Sequence, residues 1–378
     1  MRDIFDPADE FGPARIIHVW EPSIELKATV IIDNNALGPA IGGLRVASAA
    51  SPGDCCRLAR TMTLKSAAAD LPHGGGIAVL HQAPEKTQTA RRRHLVRALA
   101  VTLRSEDQFI FAPDMGSDET AMAWIRDENA RAVGLPRELG GIALSRIGAA
   151  GWGLYHATEV ALLYCGFKLE DARVVIHGFG TVGQNTARYL AENGAVVVGV
   201  SDSGGTLYHP RGLDIGELVA IKKNGGSVVD STEGERLERE ATIDLDCDIW
   251  IPAAGADTIT QDNVARLKAR LVVEAADAAL SPSAERHLHE KGVICVPDFI
   301  ANAGGLIGAA MEYRGANKAQ VLSVIKEKIR RNTEKVLQSV ETDGSLPRQA
   351  ATLLATKPIV KAMGYRRWSG LSANQGAG

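Results

Sequence analysis

The chain has 378 residues, 45% of them apolar and 23% charged, which is ordinary for a globular protein and suggests about two domains. Its 42 basic and 45 acidic residues leave a formal charge of −3, and no basic stripe or long like-charge block argues for nucleic acid or an anionic membrane as a partner. Five cysteines, an odd number without a CxxC pair, argue against a zinc site or a disulfide framework.

The first elements in chain order are strands. ARIIHVWE and LKATVIIDNN are β-branched and bounded by turn residues, and ALGPAIGGLRVA reads as a glycine-rich loop leading into a third strand. Ser51-Pro52 is a good N-cap followed by a first-turn proline. Leu58, Met62 and the alanines beyond continue a helix to about Asp70. Lys65 sits on this helix, and Gly74, Gly75 and Gly76 are expected in the loop after it. RRRHLVRALAVTLRS predicts a second helix whose arginines form a solvated face; DQFIFAPDMG predicts a strand ending in a loop that carries Asp114.

Near Gly140 the character changes. ELGGIALSRIGAAGWG leads into the apolar helix LYHATEVALLYCG, and strands then alternate with helices: ARVVIHGFG, TVGQNTARYLAENG, AVVVGVSD, LDIGELVAIKKNGG, CDIWIPAA, RLVVEAAD, SPSAERHLHEKG and VICVPDF. Such alternation predicts a parallel, doubly wound sheet. A helical tail begins near Ala316, and SGLSANQGAG is expected to be disordered. The N-terminus has no signal-type apolar core. No apolar run reaches the roughly 18 residues of a membrane span, so the expected location is the cytoplasm.

GFGTVG, from Gly178 to Gly183, fits G-x-G-x-x-G and lies between a predicted strand and a predicted helix, the context that gives the pattern meaning. Gly178 permits the tight turn, Gly180 the approach of a pyrophosphate, and Gly183 close helix–strand packing, while Phe179, Thr181 and Val182 complete the cradle. Asp202 follows about 20 residues on, where an acid hydrogen-bonds the adenosine ribose and repels a ribose phosphate, which favours NAD over NADP. Ala253, ending the strand CDIWIPAA, is counted with these cofactor contacts.

Lys65 stands among Met62, Leu64, Ala67, Ala68 and Ala69. An ammonium buried beside small apolar residues calls for an anion, and the three glycines are expected to leave room above the helix. Together they suggest a pocket with one fixed cation for a carboxylate-bearing small molecule.

GPAIGGLR, LARTMTLKSAAADLPHGGG, APDMGSDETAMAWI, GFGTVG with VSDSGG, and VPDFIANAGG occur in an order and spacing that resemble the glutamate/leucine/phenylalanine/valine dehydrogenases over nearly the whole chain. The resemblance implies an α/β protein with an N-terminal α/β substrate and oligomerisation domain (1–140) and a C-terminal Rossmann-type doubly wound domain (141–325). C-terminal helices (326–368) would pack back toward the first domain, ahead of a disordered tail (369–378). It implies reversible, NAD(P)-linked oxidative deamination of L-amino acids in a homo-oligomer. Lys65 matches the lysine that holds the substrate carboxylate, Asp114 the acid that relays protons, Gly42 and Gly43 the pair lining the substrate pocket, and Asn302 a residue near the nicotinamide.

Several positions depart from the resemblance. Ile77 stands where the family has the lysine that activates water against the iminium intermediate, and isoleucine carries no proton. Asp277 replaces an asparagine in VEAADAAL, and Ala150 a threonine. His73 and Asp277 are the candidates to supply the missing acid–base group. Ile41 stands where glutamate-specific relatives have a lysine for the distal carboxylate, which favours an apolar substrate over glutamate. The expectation is therefore a dehydrogenase acting on CH–NH2 donors with altered chemistry. The alternatives are an enzyme of imine, amine or carbonyl substrates that needs no such lysine, and an NAD-binding pseudoenzyme or regulatory subunit.

Overall fold

The structure is a computed structural model that describes residues 8–48, 50–82 and 89–366, with only the backbone described at Thr89; the expected tail 369–378 lies outside the described residues. The described chain divides into two units. One contains the described residues of Met1–Leu144, Leu306–Val321 and Leu353–Gly378, the other Ser145–Gly305 and Leu322–Thr352.

The first unit is built on five strands, β1 (Arg15–Glu21), β2 (Leu26–Asn34), β3 (Ala40–Ala47), β4 (Gly74–His81) and β5 (Phe109–Pro113), in the order β1-β2-β4-β3-β5. β2 is antiparallel to β1 and β4, whereas β3 runs parallel to both β4 and β5. Helix α1 (Pro52–Ala68) lies on one face; α2 (Thr89–Thr102) and α3 (Glu119–Asn129) cover the other. α1 begins where the sequence says it should. The Ser51 hydroxyl accepts from the Asp54 amide at 3.1 Å, and the Asp54 carboxylate accepts from the Ser51 amide at 3.3 Å, ahead of Pro52. The start of α3, unmarked in the sequence analysis, uses the same device: Asp118 accepts from the Ala121 amide at 2.9 Å.

The triple glycine corrects an expectation. Gly74, Gly75 and Gly76 are not loop; they open β4, and none has a positive φ. A Cβ on Gly75 would overlap the Thr63 amide of α1, one on Gly74 the Asn34 carbonyl, and one on Gly76 would come within 2.5 Å of the Ile31 carbonyl oxygen. The glycines therefore let α1 and β2 close onto β4 and leave no room above the helix.

The second unit begins with α4 (Ala149–Cys165) and continues through β6 (Arg173–His177), α5 (Thr181–Glu192), β7 (Val196–Asp202), β8 (Gly205–Tyr208), α6 (Ile215–Lys223), β9 (Glu235–Leu237), β10 (Ile249–Pro252), β11 (Leu271–Val273), α7 (Pro282–Glu290) and β12 (Ile294–Val296). The strand order is β12-β11-β10-β6-β7-β8-β9. The five strands from β12 to β7 are parallel, as the alternation predicts, but β8 and β9 extend the sheet antiparallel. Strand order reverses at β6, which has β7 on one side and β10 on the other. In open α/β sheets such a switch point, at the carboxyl ends of the strands, is where ligands bind. The chain closes with α8 (Asp298–Ala301), α9 (Gly304–Tyr313), α10 (Lys318–Asp343) and α11 (Pro347–Gly364). No helix among the described residues is long and apolar enough to cross a membrane.

Candidate functional site

The carboxyl ends of β6, β7 and β10 meet at a cavity of about 310 Å³, lined by Gly178, Phe179, Gly180, Ser201, Asp202, Ser203, Lys222, Arg239, Ala253 and Ala254. Gly178 has φ +110°, and a Cβ there would lie 2.7 Å from the Ala254 nitrogen, so both strain and space demand glycine. A Cβ on Gly183 would overlap the Gly178 carbonyl oxygen, which is the close helix–strand approach expected of the third glycine. Gly180 faces open space and forms the N-cap of α5 without a side-chain cap, so the first-turn amides around Thr181 and Val182 are available to an anion. The strand ends are pinned by backbone bonds: Gly178 N–H donates to the Ser201 carbonyl at 3.1 Å, and Ala253 N–H to the His177 carbonyl at 2.7 Å.

Asp202 ends β7 beside this cradle, but its carboxylate is committed inward. Oδ1 accepts from the Ser227 hydroxyl at 2.7 Å and the Gly204 amide at 2.9 Å; Oδ2 accepts from Lys222 Nζ at 2.6 Å and the Val228 amide at 3.0 Å. Burial by itself raises the Asp202 carboxyl, but Lys222 and the three other donors outweigh it and hold it below the usual carboxylate range. The ribose-acceptor role expected of Asp202 therefore finds its lone pairs already taken. Lys222 and Arg239, which share the cavity, were not singled out in the sequence; nothing in the pattern ranks them among 42 basic residues.

A second cavity of about 320 Å³ shares Arg239 and Ala254 with the first and is walled by His177 and Trp250. Their rings stack at 5.7 Å. Burial, helped by the Arg239 charge, lowers the His177 imidazole to about 4, so it is neutral at physiological pH.

Asp277 lies half-buried in the loop after β11, and Asn302 caps the C-terminus of α8. The two segments are braced by Asp298, which accepts from the Ala278 amide at 2.9 Å and from Arg348 Nη1 at 2.9 Å. Ala150 lies in the first turn of α4, beyond Gly148, the αL residue at its N-cap.

The other expected residues belong to the first unit. Lys65 is buried, only 5% exposed, as a lysine facing a binding site or an internal partner would be. Ile77 pairs in register with Gly43 of β3, and Gly43 in turn pairs with Ala112 of β5. A Cβ on Gly43 would lie 2.7 Å from Cβ of Asp114, and one on Gly42 2.5 Å from the Phe109 ring. The glycine pair thus admits Asp114 and Phe109 over the sheet. Asp114 is engaged: Arg45 Nε donates to its Oδ2 at 3.1 Å and Arg45 Nη2 to its Oδ1 at 3.3 Å, while the Met115 amide donates to Oδ1 at 2.7 Å. Ile77 is 2% exposed and packs with Ile31, Cys55, Ala59 and Val79. Ile41 has no accessible surface, so in this conformation it is core and not an open pocket wall.

His73 is corrected as a stand-in for a catalytic lysine. Four residues of extended chain separate it from Ile77 by roughly 13 Å. Its Nδ1 lies 3.1 Å from the Pro39 carbonyl, its ring meets Tyr313 edge-on at 5.9 Å, and burial lowers its pKa. It is a packed, neutral histidine.

Sheet order, glycine cradle and helix N-terminus have the geometry of the dinucleotide-binding class of α/β proteins. Residues 140–367 match the Glutamate/Leucine/Phenylalanine/Valine dehydrogenase family, and residues 21–131 match the Glu/Leu/Phe/Val dehydrogenase dimerisation domain. The chain is 33% identical over 357 residues to an NAD-specific glutamate dehydrogenase of Staphylococcus aureus (strain COL), covering 89% of this chain and 85% of that protein. It is 34% identical over 303 residues to an NADP-specific glutamate dehydrogenase of Saccharolobus shibatae, covering 77% and 71%. The crystal structure of hetero-hexameric glutamate dehydrogenase from Thermus thermophilus in its Leu-bound form superposes with a TM-score of 0.85 at 29% identity, covering 93% of this chain and 89% of that one. The chain belongs to the Glu/Leu/Phe/Val dehydrogenase family.

Proposed function

We propose that this protein is a nicotinamide-dinucleotide-linked oxidoreductase of amino-acid-class substrates, with the step that needs an activated water impaired. The observation that carries this reading is Ile77, packed into an apolar cluster beside Gly43 and Asp114 where the family resemblance calls for a lysine. The residues present fit a dinucleotide: Gly178 and Gly183 occupy places a Cβ would fill, and Gly180 opens onto the α5 amides. A nicotinamide dinucleotide held there would supply the hydride-transfer chemistry for oxidation or reduction at the substrate α-carbon. Lys65 anchors the substrate carboxylate, and Asp114, once released from Arg45, takes the amine proton. Asp277, half-buried after β11, is the remaining candidate to supply the missing acid–base group. A buried isoleucine at position 41 provides no cation for a second carboxylate, which favours an apolar substrate over glutamate without making Ile41 a pocket wall.

A second reading, a regulatory subunit that binds dinucleotide without turnover, is favoured by the two-point Arg45–Asp114 pair, which occupies the proton-relay carboxylate. It accords with the hetero-hexameric assembly of the Thermus thermophilus relative.

An NAD(P)H assay over apolar L-amino acids, and over their keto acids with and without ammonia, tests both readings. Slow turnover that rises by about 10²–10⁴-fold in Ile77→Lys supports the first, that being the usual worth of a general acid–base. Dinucleotide binding with no turnover in either protein supports the second and overturns the first.

A further inference from the structure

We propose that the cavity at the end of β7 accepts a dinucleotide carrying a 2′-phosphate, with Lys222 and Arg239 as the residues that select it. The proposal rests on the dinucleotide reading of the same site and reverses the NAD preference expected from Asp202.

The first ground is hydrogen-bond capacity. A carboxylate offers about four lone-pair sites, two on each oxygen. In Asp202 each oxygen already accepts two bonds, from Ser227 and Gly204 on Oδ1 and from Lys222 and Val228 on Oδ2. A ribose 2′-hydroxyl that needs an acceptor there would have to displace one of them. The position that discriminates for NAD in other Rossmann sites is spent on holding its own loop.

The second ground is charge. Asp202 is the one acid lining the cavity, and Lys222 neutralises it at 2.6 Å. Arg239 then adds a positive charge with no ion-pair partner among the described residues. Its segment is anchored: the Arg239 carbonyl accepts from the Thr206 hydroxyl at 3.1 Å and the Thr242 hydroxyl at 2.6 Å. A cation carried on this anchored segment, in a cavity also lined by the small Ser203, suits a phosphate better than a bare hydroxyl.

The test is fluorescence titration of the full chain with NADPH and NADH, with adenosine 2′,5′-bisphosphate and 5′-AMP as competing probes. NADPH should bind at least as tightly as NADH, and the bisphosphate should compete at least about tenfold better than 5′-AMP. Arg239→Ala should lower the NADPH:NADH affinity ratio by about tenfold or more, and Lys222→Met, which strips Asp202 of its counter-charge, should lower it further. Arg239 is exposed, so its variant does not threaten folding; circular dichroism checks Lys222→Met. NADH binding about tenfold tighter than NADPH, or a ratio unmoved in Arg239→Ala, overturns the proposal. Binding of neither dinucleotide refutes the underlying site reading itself, a distinct result from loss of selectivity.

Discussion

Gly75 shows how one residue can be recognised and still misread. Three glycines in a row stand out in any sequence, and flexibility is their ordinary meaning. The reason for Gly75 is instead the Thr63 amide of α1, a partner 12 residues earlier that no local pattern announces. Gly75→Ala should therefore be destabilising, by about 1–3 kcal/mol, the usual cost of forcing a methyl into a packed contact, read as a lowered Tm with dinucleotide binding by the second unit retained. Asp202 was legible as the acid after β7, yet its donors come from three further places: the turn at Gly204, α6 and the segment at Ser227–Val228. Sequence gives the carboxylate; only folding says that its lone pairs are full.

At the scale of elements, capping chemistry and hydrophobic period placed α1, α5, α6 and the five parallel strands, because their signals lie within a turn or two of chain. The β8–β9 extension escaped because its strands are four and three residues long and pair through register, not composition. Also out of sight was the cluster at the start of α11. Arg348 bonds Glu274 at 2.8 and 3.0 Å and Asp298 at 2.9 Å, its amide donates to Glu285 at 2.8 Å, and all three carboxylates are buried. One cation cannot neutralise three buried anions. Burial, only partly offset by Arg348, pushes Glu274 up to about 8, and burial raises Glu285 as well, so the group retains a proton at neutral pH. A folded pKa above the unfolded value means that the folded state binds the extra proton. This contribution is complete below about 4.5 and is lost as pH rises through about 8. Tm should thus fall between pH 5 and about 8, by up to about 1.4 kcal/mol of stability per pH unit, and Glu285→Gln should flatten the profile. A pH-independent Tm in both proteins would refute the shared proton. Arg348→Met should cost about 3–5 kcal/mol, the penalty for stranding buried charge.

For the whole molecule, the match of residues 21–131 to a dimerisation domain and the hexameric relative point to self-association. Light scattering of the purified chain should give an integer multiple of the chain mass; a monomer at micromolar concentration would contradict it. The sequence by itself determined the family, the two kinds of α/β unit, the glycine cradle and the isoleucine that follows the triple glycine, because each is written in short-range order: periodicity, caps and spaced motifs. The tertiary structure decided what those residues do to one another, namely that the triple glycine seats a helix, that Arg45 holds Asp114, and that Lys222 and Arg239 turn the end of β7 cationic. Hydrogen-bond saturation and net local charge are sums over neighbours brought together from distant positions, and a linear chain does not record which neighbours those will be.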